Sequence, residues 1–154
     1  MALKGDFCVF VPEDISFYMN VASERGLIVV HASSGSGSAM DQADAYVAVP
    51  TGQAPSTLNP AGLLMSDMVT VDLSKTHENF YKDEIPVGGK VPLLRHGWVT
   101  TNMISGSPTA GNTAYFTSTG LLTPSDPGSG PKVGRFLASK DSDGYAKVEI
   151  NITG

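Results

Sequence analysis

The strictest pattern in the chain is the alternation from Tyr145 to Ile152. Ala146, Val148, Ile150 and Ile152 interleave with Tyr145, Lys147, Glu149 and Asn151, which predicts a half-buried strand with one apolar and one wet face. Just ahead of it, Asp141-Ser142-Asp143-Gly144 offers short polar side chains that bond their own backbone, followed by a Gly that tolerates positive φ. That is the chemistry of a hairpin turn. The same alternation of short strands and turns extends back to Ile85. Lys90 to Arg95, Gly97 to Met103, Thr113 to Thr117 and Lys132 to Ser139 carry apolar and β-branched residues, and Gly, Pro, Asn, Asp and Ser clusters separate them. The spacing predicts a mainly β fold: a compact antiparallel sheet or small barrel.

The totals agree with a turn-rich β chain. Gly at 17 and Pro at 10 in 154 residues are high, and charged residues at 16% fall below the usual ~25%. The length suits one domain, read as an arm over residues 1–11 and a β-rich body over 12–154, with residues 74–86 the candidate for a sub-boundary. Ten basic residues against 15 acidic give a formal charge of −5 with no Lys/Arg cluster, which argues against a phosphate-tracking surface and against nucleic acid as a direct partner. Cys8 is the single cysteine, so no internal disulfide forms, and its apolar neighbours Phe7 and Val9 mark it as a small core residue rather than a nucleophile. The N-terminus lacks the apolar run of a signal peptide, and no stretch reaches the ~20 apolar residues of a membrane span. The expectation is a chain made in a cytoplasm with no membrane partner.

Upstream, Phe7 to Val11 reads as an apolar arm ending at Pro12. One short N-terminal helix is expected next: Pro12, Glu13 and Asp14 suit a helix start, Ile15, Tyr18, Met19 and Ala22 fall at helical spacing, and Gly26 suits the C-cap. Whether its apolar stripe docks on its own sheet or on another subunit stays open. Leu27 to Val30 predicts a buried strand and Ala32 to Ala39 a Ser/Gly loop. Gly35-x-Gly37 superficially suggests a dinucleotide-binding turn, but Met40 takes the third small position and Ala45 to Val49 reads as a strand where that site needs a helix. Thr51 to Pro60 is a loop, and Gly62 to Leu73 returns to strand character. There Val69, Val71 and Leu73 are predicted to face inward, with Met65 and Met68 as core filler. Ser74 to Asp83 is a polar loop carrying Phe80 and Tyr81.

No constellation for catalysis or metal binding emerges. His31, His77 and His96 are scattered, none spaced from another His or Cys as a zinc site requires, and His77-Glu78 lacks a second His. Asp141-x-Asp143-Gly144 resembles the middle of a calcium loop, yet Ser139 and Ile150 occupy its first and closing ligand positions. No catalytic residue, cofactor or metal is assigned. Trp98, with Thr100 and Asn102 on its own side of a strand and Val99 and Met103 on the other, is either an interface anchor on the wetter face or a core residue. Tyr115-Phe116 poses the same alternative.

The order of these segments resembles a known family. Pro86-Val87-Gly88-Gly89-Lys90-Val91, Gly97-Trp98-Val99, Ala110 to Phe116, Gly120 to Thr123, Val133 to Leu137 and Asp143 to Val148 are similar to the tailed-phage head decoration, or capsid cement, proteins. Phe17-Tyr18-Met19, Glu24-Arg25-Gly26, Gly62-Leu63-Leu64 and Val71-Asp72-Leu73 resemble its larger members. The resemblance implies a small β-barrel or "β-tulip" domain without enzymatic activity. It implies a homotrimer on the outer capsid surface of the virion, bound where major capsid subunits meet and stabilising the expanded head. Phe7, Phe10, Phe17, Tyr18, Tyr81, Trp98, Tyr115 and Phe116 are the candidate interface aromatics. Two other classes stay open: a carbohydrate- or surface-binding β module using Trp98, Tyr81 or Tyr115, and, least supported, a hydrolase using His77 or His31.

Overall fold

A computed structural model describes residues 17–31, 43–47, 54–70 and 84–153, the second of these spans by its backbone. Twelve short strands run through them: β1 Phe17–Tyr18, β2 Ile28–His31, β3 Ala43–Val47, β4 Pro60–Leu64, β5 Asp67–Val69, β6 Glu84–Pro86, β7 Leu93–Leu94, β8 His96–Thr101, β9 Thr113–Phe116, β10 Leu122–Thr123, β11 Gly134–Phe136 and β12 Ala146–Asn151. Among the described residues the only helical element is a 3-10 turn at Pro55–Thr57. The strands form a five-stranded sheet in the order β1-β3-β2-β4-β7, a second in the order β10-β9-β11-β12-β8, and a parallel ribbon of β5 and β6. The chain crosses from the first five-stranded sheet to the second at Arg95, which alone separates β7 from β8.

Each sheet curls back toward its own start. Phe17 and Met19 pair with the segment that leads into β7: Val91 N–H donates to the Phe17 carbonyl at 2.9 Å and Gly88 N–H to that of Met19 at 2.7 Å. The two ends of the first sheet are therefore joined through residues 88–94. In the second sheet the chain leaves β8 and returns to β10, where Leu122 N–H donates to the Met103 carbonyl at 3.0 Å and Ser105 N–H to that of Leu122 at 2.7 Å. Closure of this kind hides edge strands that would otherwise template aggregation. The mainly β, largely antiparallel fold read from the sequence is observed.

Two apolar clusters fill the structure. One holds Phe17, Met19, Val29, Ala61, Leu64, Met68, Val91 and Leu93, on one face of the first sheet. The other unites the inward residues of the second sheet, among them Val99, Phe116, Phe136, Val148 and Ile150, with Ile28, Val30, Leu63 and Leu94 from the opposite face of the first. Strands β2, β4 and β7 are thus buried on both faces, which explains why Ile28, Val29 and Val30 are all apolar rather than alternating. The second sheet alternates because its apolar cluster lies on one face and no described residue covers the other. Ala146, Val148, Ile150 and Ile152 are at most 2% exposed, while Lys147, Glu149 and Asn151 are exposed, as predicted.

The hairpin turn is also as predicted. Asp141 Oδ1 accepts the N–H groups of Asp143 at 3.0 Å and Tyr145 at 2.8 Å, and Gly144 takes φ +84°. Gly134 has a different role: a β-carbon there would overlap the backbone carbonyl of Glu149 on β12, so only a residue with no side chain fits.

The N-terminal helix is a correction. Phe17–Tyr18 is a strand, parallel to β3 and bridged through Tyr18 to Lys90, and Ser23 is bridged to Met68. The helical spacing of Tyr18 and Met19 is real, but strand partners from residues 88–91 satisfy the backbone of this segment, and that tertiary pairing overrides a weak local preference. Gly26 serves a turn into β2, at φ +94°, and not a helix cap. Met68 is core filler as expected, buried at 2% with Met19 and Val91, but Val69, predicted to face inward, is only half-buried, because adjacent strand residues point to opposite faces. Val71 and Leu73 lie outside the described residues.

Candidate functional site

Among the described residues nothing covers the outer face of the second sheet, which forms a wall. Its rows follow from the register: Trp98 on β8 faces Glu149 on β12, Glu149 faces Arg135 on β11, and Arg135 faces Thr113 on β9. Directly opposed residues share a face, so all four point the same way. Thr100 and Lys147 form the next row, with Leu137 beside them through its N–H bond to the Lys147 carbonyl at 2.8 Å. The Lys147 ammonium reaches diagonally to stand 5.1 Å from the centre of the Trp98 ring. That is cation–π distance, worth ~0.5–1 kcal/mol at an exposed site. Leu137, at 42%, is the most exposed large apolar side chain among the described residues.

The sequence-derived aromatics fall into distinct places. Trp98 and Tyr115 are half-buried on this wall, so Trp98 is on the wetter face. Tyr18 is half-buried at the seam of the first sheet, with the Lys90 ammonium 5.8 Å from its ring centre. Phe17 and Phe116 are core residues at 7% and 0% exposure, and neither presents a ring to a partner in this conformation. Phe7, Phe10 and Tyr81 lie outside the described residues. Trp98 and Tyr115 share a face but not a platform: β8 and β9 are three strand spacings apart, roughly 14 Å at ~4.8 Å each, and Lys147 covers part of the indole. Arg135, Lys147 and Leu137 were not singled out from the sequence. The signal for Lys147 was present in the alternation after Tyr145; that for Arg135 and Leu137 needed the register of β11.

Polar groups elsewhere serve structure. His96 Nδ1 and Asn151 Oδ1 are 3.0 Å apart across the β8–β12 ladder. His31 is exposed at the end of β2, its ring 5.3 Å from that of Phe17. His77 lies outside the described residues. Buried Thr101 uses its hydroxyl to accept the Met103 N–H at 3.0 Å where the chain bends out of β8. Among the described residues no three His, Cys, Asp or Glu side chains gather as a metal site would require. β3 stands where the dinucleotide reading needs a helix. No helix among the described residues is long and apolar enough to cross a membrane.

The family model for "Structural cement protein (E217 gp24/Pam3 gp6)" matches residues 12–151, nearly the whole chain and both of its five-stranded sheets. The chain belongs to the phage cement proteins. No curated protein matches it. Membership makes this cement protein a structural component of the virion that associates with the capsid and stabilises it. In a cement protein the informative surface is an interface, and the wall around Trp98 presents residue types that interfaces favour: Trp, Tyr and Arg.

Proposed function

We propose that this cement protein binds the outer surface of an icosahedral phage capsid at junctions between major capsid subunits, as a homotrimer, and holds the expanded shell together. The family match over residues 12–151 carries the reading. The physical chemistry supports it. A turn-rich β chain whose strands close on themselves resists local opening, as a clamp must. A formal charge of −5 suits an outer surface better than one lining the packaged DNA. Three linked copies would make contacts that must break together, and such linkage raises apparent affinity by ~10²–10⁴ without any new contact.

The test is reconstitution. Expanded shells lacking the cement protein are mixed with purified protein, and its position is imaged while resistance of the shells to heat is measured. Density on the exterior at subunit junctions, together with a higher disruption temperature, is the expected result. Attachment to the interior, or decoration with no gain in shell stability, would sink the proposal. The solution mass decides the trimer separately: three times 16.1 kDa is expected.

A further inference from the structure

We infer that the outer wall of the second sheet, centred on Trp98 and Lys147, is the surface that meets the shell, and that it recognises carboxylates of the capsid protein. The inference rests on the capsid reading above.

Three observations lead to it. Strands β2, β4 and β7 of the first sheet carry an apolar cluster on each face, whereas no described residue covers the rows of paired residues on the wall of the second. The wall combines a half-buried Trp, a half-buried Tyr and the exposed Leu137 in one rigid frame, so binding would cost little ordering entropy. Its charge runs against that of the chain. The whole sequence carries −5, yet Arg135 and Lys147 outnumber Glu149 on this face.

These charges are available to a partner. Arg135, Lys147 and Glu149 form no ion pair with any described residue. Lys147 is steered by the indole of Trp98, which holds its ammonium in place without neutralising it. An incoming carboxylate therefore finds the Lys147 ammonium held over the indole and the exposed Arg135 on the neighbouring strand, while Glu149, directly opposite Arg135, repels a carboxylate placed out of register. A second copy set wall to wall is the poorer occupant, because two such faces oppose the same cation excess; a head-to-tail contact between copies is separated from the shell contact by the solution mass.

The test compares binding of full-length variants to shells depleted of cement protein. Lys147→Glu and Arg135→Glu reverse charge on the wall. Lys90→Glu makes the same change on the exposed seam of the first sheet, and Lys147→Gln removes charge without adding any. Each reversal on the wall should weaken binding about tenfold or more. Lys147→Gln should have a smaller effect, Lys90→Glu almost none, and added salt should weaken the wild type. Circular dichroism of the variants matching the wild type keeps a folding defect from imitating the result. Wild-type attachment with undiminished binding by both wall variants would overturn the inference and leave the capsid reading standing. A drop in solution mass with unchanged shell binding would overturn it too, by assigning the wall to a contact between copies. Failure of the wild type to attach removes the capsid reading, and the inference with it.

Discussion

Gly134 on β11 lies so close to Glu149 on β12 that a β-carbon on the glycine would overlap the glutamate's backbone carbonyl. Neither partner can move easily, since β11 and β12 are both interior strands of the second sheet. Gly134→Ala should therefore destabilise the protein by roughly 3 kcal/mol or more, at the high end of the range for point substitutions. Urea denaturation followed by fluorescence measures it; a midpoint within error of wild type would contradict the packing described.

The contact between Lys147 and Trp98 has its own optical signature. The chain has one tryptophan, so its emission reports on this site alone. Lys147→Met keeps the aliphatic stem but removes the cation; emission should shift and stability should fall by no more than ~1 kcal/mol. An unchanged spectrum would mean the ammonium does not sit over the ring.

Asp141 organises the hairpin that joins β11 to β12. Its carboxylate accepts two backbone N–H groups, so Asp141→Ala should cost about 1–3 kcal/mol, and Asp141→Asn, which retains an acceptor oxygen, clearly less. Thermal melts of the two variants give the comparison, and equal losses would argue that the bonds are not what the carboxylate contributes.

Met19 tests the packing of the seam where residues 17–19 meet residues 88–91. It is fully buried in the cluster with Val91 and Met68. Met19→Ala should cost about 2–5 kcal/mol, as for other large-to-small core changes. Val21→Ala, two residues on and 36% exposed, should cost well under 1 kcal/mol. Near-equal effects at the two positions would contradict the burial of Met19 beneath this seam.

From its sequence alone, this protein's β class, its final hairpin and the two faces of β12 were legible, because each is written in a period of two and in turn residues a few positions apart. So was the general chemistry of the wall, since Lys147 and Glu149 fall opposite the apolar set by alternation alone. Tertiary structure decided the rest. Phe17 and Tyr18 became strand, with partners at residues 88–91 for the backbone of this segment, a pairing that local spacing does not encode. Met68 rather than Val69 turned inward because a second cluster formed beneath it. The company of Trp98 with Lys147 and Arg135 depended on register between strands far apart in sequence, fixed only when both faces of β2, β4 and β7 and one face of the second sheet had been buried.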